Sequence, residues 1–341
     1  ELASGRVPDM MDCAGSVKLE GAIAQNLLMD LKPYIDENGL EAQVGANYEQ
    51  NQVDGKIYTV SIGLASIGMW VNTDVLEATG ATMPEEWTTW EAFADAMETV
   101  RVNGEAMGYY SYGSGQGSIR MFNAALAATP AGAEMLKGPL TADAINSEEF
   151  ADAFRTVATL DQQNGSANSS VNANDFAADF NNGLSAVFIN GVWGASQFAG
   201  SDNFVSCIYP NSVAISSANT GLYVANDLSD AQKELALEFI KYMTSEEVQS
   251  RYFLETSSNP INENVDIQKL AQESGDPTAL KLAEACDKCN KADTIVLAID
   301  VCWGNDVGGA LQNKFAECAV AGTDIEAKLA ELQAELTALI G

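Results

Sequence analysis

The chain has 341 residues, 47% of them hydrophobic, with 48 acidic side chains against 17 basic ones, no histidine and a formal net charge of −31. At roughly 100–200 residues per domain this length predicts two domains with ample apolar content for a core. The charge repels phosphate backbones and anionic membrane surfaces, which argues against nucleic acid as a partner. Without histidine, a Ser-His-Asp triad, a Cys-His dyad, H-E-x-x-H and histidine metal ligation are excluded. The acidic residues are scattered, as on a solvated surface. No stretch approaches the roughly 18–20 apolar residues of a membrane span, and Glu1–Gly21 lacks the basic and apolar regions of a signal peptide.

In chain order, a first strand is expected over Pro8–Met11, a helix over Lys18–Gln25 and a strand over Ile57–Ile62. The run Val60, Ile62, Leu64, Ile67, Met69, Val71 passes through Gly63, Ala65, Ser66 and Gly68. Small residues in a buried strand suit close approach by another backbone or a ligand, which favours a cleft over a solid core. Thr88 and Thr89 are N-cap candidates for a helix reaching Val102. A strand over Ala106–Tyr110 and helices over Ile119–Ala128, Ser147–Gln163 and Asn172–Asn181 follow; Phe150, Phe154, Val157 and Leu160 give the third helix an apolar face. Strands are expected over Ser185–Ile189, Phe204–Ile208 and Gly221–Val224, then helices over Asp230–Tyr242, Thr244–Glu255 and about Asp324–Leu339, with Ser147, Asp230 and Thr244 as caps.

Two local patterns invite enzymatic readings and fail them. Ser111–Arg120, SYGSGQGSIR, is rich in glycine but lacks the G-x-x-x-x-G-K-[ST] signature, so it reads as a flexible loop or one that offers hydroxyl and amide groups to a polyol. Cys286 and Cys289 form a C-x-x-C, followed by Cys302 and Cys318, in a spacing that fits no common zinc pattern. Disulfide stapling of this region suits an exported protein, and buried free thiols suit an anaerobic host; Cys13 and Cys207 read as packing residues beside strands. A glycosidase needs a positioned carboxylate pair, and none is singled out.

Several segments, in matching order and spacing, carry a resemblance. Ser4–Asp12 (SGRVPDMMD), Leu19–Ile35 (LEGAIAQNLLMDLKPYI), Asp54–Asn72 (DGKIYTVSIGLASIGMWVN), Pro84–Phe93 (PEEWTTWEAF), Phe180–Phe198 (FNNGLSAVFINGVWGASQF) and Leu228–Phe253 (LSDAQKELALEFIKYMTSEEVQSRYF) resemble successive segments of the extracellular solute-binding proteins that feed sugar-importing ATP-binding-cassette transporters. The tail from Ala310 to Ile340 is similar to that family's closing helices.

The resemblance implies an α/β, two-lobed periplasmic-binding-protein fold of type II, each lobe a mostly parallel sheet flanked by helices. It implies lobe 1 over residues 1–64 and 220–296 and lobe 2 over 65–219 and 297–341. The strand, helix, strand and helix that open the family's lobe 1 have no counterpart before Ser4. The implied function is capture of a mono- or oligosaccharide in the interlobe cleft by a monomer. Hinge closure then delivers it to a membrane permease outside the cytoplasm, with no cofactor, metal or catalysis. A peptide, polyamine or glycerophosphodiester on the same fold is the alternative, and a carbohydrate-active hydrolase the rival class. Arg120 is the one obvious basic residue near the implied cleft, which weighs against phosphate esters.

A sugar receptor stacks an aromatic ring on the sugar's C–H face and sets polar groups around its edge. Trp193, directly after Asn190 and Gly191 at a strand end, matches the family's "nGpW" tryptophan, with a place in the lobe 2 core as the other reading. Trp303 is the second candidate platform. Asp12 and Ser16 after the first strand, Ser66 at the first crossing between lobes, Tyr112 and Gln116 in the glycine-rich stretch and Tyr223 at the return crossing complete the candidates, each alternatively serving a turn. Trp70, Trp87 and Trp90 read as core or cap.

Overall fold

The computed structural model describes residues 7–14, 19–104, 107–110, 112–164, 173–218 and 220–341. Among the described residues there are ten strands: β1 (Met10–Ala14), β2 (Gln52–Val53), β3 (Lys56–Ile57), β4 (Ala65–Asn72), β5 (Met107–Tyr110), β6 (Ser185–Gly191), β7 (Phe204–Cys207), β8 (Val213–Ser217), β9 (Thr220–Val224) and β10 (Thr294–Val296). The chain divides into two compact units, residues 1–65 with 217–283, and residues 66–216 with 284–341.

In the first unit β1 pairs antiparallel with β9, Met10 opposite Val224 and Ala14 opposite Thr220. Where the sequence predicts one strand over Ile57–Ile62, the chain instead makes a two-residue hairpin of β2 and β3. Asp54 and Gly55 both have positive φ, 52° and 76°, the combination a type I′ Asp-Gly turn requires. Between β3 and β4 the described backbone makes isolated bridges, Val60 to Leu222 and Leu64 to Asn259, and polar side chains take over the remaining demands. Asn47, wholly buried, accepts from Ser61 N at 2.7 Å and donates to Ser61 O at 3.0 Å. Gln249 donates to Ile62 O at 2.9 Å and accepts from Ile261 N. An unpaired buried peptide group costs as much as a lost hydrogen bond, so these two amides fix the segment that leads into β4. Apolar packing comes from Leu31, Ile35, Val44, Ile57, Val60, Val224 and Ile240.

The second unit is built on one six-stranded sheet in the order β10-β8-β4-β6-β5, with β7 pairing β4 off that path. β10 is parallel to β8 and β5 to β6, whereas β4 runs antiparallel to both β6 and β7. The sheet is therefore mixed rather than mostly parallel, and the two described sheets of the first unit, β1-β9 and β2-β3, are antiparallel, which corrects the expectation on both counts. Parallel pairing needs a long crossover; the described residues between β5 and β6 include five helices, but β4 enters straight from the other unit. Helix Glu148–Gln163 begins at Ser147, whose hydroxyl accepts from Phe150 N at 3.2 Å. It buries Phe150, Phe154 and Val157, with the Phe154 ring 4.9 Å from Phe315.

Three expectations move. Residues 112–120 do not form a loop: helix Tyr112–Ala127 runs through them. The caps of helices Asp230–Met243 and Glu246–Thr256 are Ser229 and Ser245, not Asp230 and Thr244, and Thr244 closes the first of these helices. The last crossing lies between 283 and 284 rather than near 296, because Lys288 donates to Ser206 O at 2.7 Å and β10 adds to β8, tying residues 284–296 to the second unit.

All five cysteines at 207, 286, 289, 302 and 318 are free thiols. Burial pushes those of Cys207, Cys289, Cys302 and Cys318 up to about 12 and that of Cys286 well above its ordinary value. A thiol, unlike a thiolate, is a poor nucleophile. Treatment of the native protein with iodoacetamide at pH 8, followed by peptide mass spectrometry, should leave these five unlabelled over minutes, and denaturant should expose them; rapid native labelling of Cys286 or Cys289 would contradict their burial.

The closing helix Ile325–Ile340 is held by charge as well as by Leu329, Leu332 and Leu336. Lys314, 7% exposed, lies 3.1 Å from Glu331 and 3.5 Å from Glu317, and Lys328 lies 2.9 and 2.8 Å from the same two carboxylates. Hydrogen bonds from Lys328 hold both carboxyls below their ordinary value of 4.5. A depressed folded-state pKa gives stability that is present above the unfolded value and is lost as pH falls through the folded one. E317Q/E331Q, which strands the buried Lys314 ammonium, should lower the melting midpoint at pH 7 by about 2–4 °C. The gap to wild type should narrow between pH 4.5 and pH 3; a gap that does not depend on pH would deny the network this role.

Candidate functional site

β6 is the strand from which the site grows. All seven of its residues, SAVFING, are buried, as expected for a strand covered on both faces. Its antiparallel register on β4 sets Gly191 opposite Ile67 and Asn190 opposite Gly68, so the end of β6 lies beside the beginning of β4. There the chain enters this unit, between Ala65 and Ser66, and it leaves again between Ser216 and Ser217 at the end of β8. The Ser66 and Ser216 hydroxyl oxygens are 3.1 Å apart. Neighbouring strand ends of one sheet thus gather the first two of the three crossings and the end of β6. Close packing there needs small residues: a Cβ on Gly68 would come within 2.6 Å of Cys207 O.

Trp193 follows at once, in a short 3₁₀ turn over Val192–Gly194. It is 41% exposed, while Trp70, at 1%, and Trp303, at 7%, are buried. An apolar ring of this size held open to solvent at a strand end is what stacking on a sugar face requires. Asn190 beside it is 9% exposed, with its Oδ1 accepting from Gly191 N at 2.9 Å; its amide nitrogen remains for a further acceptor. Asn190 also helps line a cavity of about 10 Å³ with Gly68, Trp70, Ser206, Lys288 and Cys289, large enough for a single water.

The other candidates are distributed differently. Trp303 stacks on Phe150, ring centres 6.3 Å apart, and donates Nε1 to Met135 O at 3.1 Å; it is a core residue with no open face, which corrects its reading as a second platform. Ser66 is fully buried and its hydroxyl meets Ser216. Tyr223 is fully buried on β9 among Leu19, Ala22 and Leu28, so neither presents a group to solvent. Asp12 is exposed, but it lies within β1 opposite Leu222 rather than in the loop beyond it. Ser16 lies outside the described residues. Tyr112 and Gln116 fall in the opening turns of helix Tyr112–Ala127, and their side chains lie outside the described residues. Arg120 is paired with Asp300, so its charge is neutralised locally. Among the described residues no group of three or more metal-ligating side chains occurs. What the sequence alone did not disclose is the pair Trp70 and Gly194; the only signal was a second glycine immediately after Trp193.

Comparison with known proteins places this geometry. Residues 1–278 match the family described as bacterial extracellular solute-binding protein. A Streptococcus pneumoniae solute-binding protein, solved in complex with the blood group A-trisaccharide, is 41% identical and superposes with a TM-score of 0.91 over 99% of this chain and 86% of its own. A chitin oligosaccharide binding protein, 20% identical, gives a TM-score of 0.79 over 99% of this chain and 85% of its own. The sugar-binding protein MalE from the phytopathogen Xanthomonas citri is 16% identical with the same score and coverage. These last two speak to the two-lobed fold alone. No curated protein sequence matches the chain. Match and fold agree, and the chain belongs to the family of bacterial extracellular solute-binding proteins.

Proposed function

We propose that the chain is the carbohydrate receptor of an ATP-binding-cassette importer. It takes up an oligosaccharide outside the cytoplasm at the crossing edge of the second unit and hands it to a membrane permease. The observation that carries this reading is Trp193, an exposed ring beside the strand ends where the chain makes two of its three passages between units, in a chain 41% identical to a protein solved in complex with a trisaccharide. The crossings serve as the hinge: a ligand that interacts more favourably with one arrangement of the units shifts the population towards it by that difference and no more. The chain acts as a receptor and turns over no substrate. Extracytoplasmic placement follows the family, and among the described residues no helix is long and apolar enough to cross a membrane.

The electrostatics suit an uncharged ligand. Arg120, the basic side chain that phosphate or carboxylate recognition would call upon, is engaged by Asp300, and the whole chain carries −31. A polyol needs no counter-charge, only a stacking face and hydrogen bonds.

The purified chain should show a ligand-specific rise in melting midpoint with blood group A trisaccharide or with another oligosaccharide such as chitotriose or maltotriose. Amino acids, polyamines and glycerophosphodiesters should give none. At a hundredfold excess over Kd, binding to the folded state adds about 2.7 kcal/mol, which moves the midpoint by several degrees. W193A should weaken calorimetrically measured sugar binding by about tenfold or more while the protein still melts cooperatively. A response confined to polyamines or glycerophosphodiesters would replace the sugar reading.

A further inference from the structure

Two glycines flank Trp193, and neither is there for its backbone angles. Gly191 has φ −78° and ψ 173°, and Gly194 has φ −60° and ψ −17°, regions open to any residue. What they supply is the missing Cβ. A Cβ on Gly191 would lie 2.1, 2.2 and 2.4 Å from Cζ3, Cη2 and Cε3 of Trp193, so the six-membered ring of that tryptophan is seated against the Gly191 backbone. A Cβ on Gly194 would lie 2.5 Å from Nε1 and 3.1 Å from Cδ1 and Cε2 of Trp70. The turn that carries Trp193 therefore rests on the Trp70 indole.

Trp70 also grips the turn directly: its Nε1 donates to Gly191 O at 3.0 Å. It is itself immobilised, being 1% exposed, on β4 opposite Phe188, with Phe198 at 5.1 Å between ring centres. Phe180 and Phe204 pack behind Phe198 at 5.2 and 5.3 Å. An aromatic group locked into a cluster of this kind cannot follow the turn, so the turn must follow it.

We infer that Trp70 is a positioning residue that sets the plane of Trp193 through the Gly191 carbonyl, with Gly191 and Gly194 as the two slots in which the indoles seat. Trp193 is then a pre-ordered, one-sided platform: one face is closed by backbone before ligand arrives and the other is open. Such pre-ordering lowers the entropic cost of ligand binding, and it admits a single sugar ring on one side instead of a ring clasped between two faces. The inference rests on the reading of Trp193 as the sugar platform for its functional part, but not for its structural part.

Both parts are separable by experiment. Protein labelled with 5-fluorotryptophan should give five ¹⁹F resonances from its five tryptophans, with Trp193 assigned by W193F. In W70F and, independently, in G191A the Trp193 resonance should shift or broaden, while those of Trp87, Trp90 and Trp303 stay in place. The three sugars above serve as probes, blood group A trisaccharide first. For any that binds wild type, W70F and G191A should weaken the affinity about five- to tenfold, the size of one lost buried hydrogen bond or of a modest misplacement. If W193A loses binding but W70F and G191A leave both the Trp193 resonance and the affinity unchanged, the positioning role is overturned and the platform stands. If W193A leaves binding intact, the sugar reading of Trp193 fails, and an undisturbed Trp193 resonance in G191A would still overturn the positioning on its own. Should W70F fail to fold, G194A, which crowds Nε1 without removing the indole, replaces it, and an unmoved Trp193 resonance there overturns the inference equally.

Discussion

β4 is the constraint on which the second unit depends. It enters directly from the other unit and pairs with β6 on one side, meets β7 further along, and has β8 as its other neighbour in the sheet order. A strand enclosed on this many sides has no freedom of register, because a slip of one residue would turn Met69 and Val71 out of the core and Trp70 into the wrong layer. Its small residues are a consequence of this enclosure. Gly68 sits where β7 approaches within 2.6 Å of a would-be Cβ, and Ser66 sits where β8 brings Ser216 to 3.1 Å. Everything placed at the end of β6, Asn190 and Trp193 included, inherits its position from that register.

The polar interior follows a related logic. Where the first unit has too little sheet to satisfy its own backbone, buried amides do it: Asn47 and Asn51 bridge to Ser61 and Thr59, and Gln249 joins Ile62, Met243 and Ile261. Each bonds a backbone group that would otherwise be stranded, Gln249 reaching Ile62 across 187 positions, and losing one leaves a buried donor or acceptor at a cost of about 1–3 kcal/mol. The result is that the segment before the first crossing is fixed by side chains from two distant parts of the sequence, while the strand after it is fixed by a sheet.

How far the sequence disclosed this depends on the range of the interactions. Helix Glu148–Gln163 was legible because its cap Ser147 and its apolar spacing are local. β6 was legible as an apolar run ending at Asn-Gly, and Trp193 as an aromatic at its end. Helix Tyr112–Ala127 was missed at its start because three glycines in six residues read as a loop, and tertiary packing on Phe150 and Phe315 overrides that preference. Trp303 was misjudged for the opposite reason: nothing local distinguishes a tryptophan beside a chain reversal from one stacked beneath it on Phe150. The mixed sheet could not be read either, since strand direction is decided by which connections are long enough to return and by the crossings between units. Trp70 read as core, correctly, but its bond to Gly191 is a contact across 121 positions and leaves no mark on spacing.

The strong acidity and the proposed platform at Trp193 are physically compatible. A receptor for an anion would have to overcome its own field, and near neutral pH this chain's field is set by 48 acidic groups against 17 basic ones. Several of the cations that exist are already committed on the surface: Arg155 to Glu148, Asp152 and Glu326, Lys328 to Glu317 and Glu331, Arg120 to Asp300. Recognition by dispersion and by neutral hydrogen bonds is indifferent to that field and to salt, because neither depends on net charge. The discriminating quantity then becomes shape, which places a premium on the orientation of the ring and hence on whatever fixes it. An aromatic with two free torsions would lose much of its stacking energy to ordering, whereas one seated against a glycine backbone and backed by a buried indole has little left to lose.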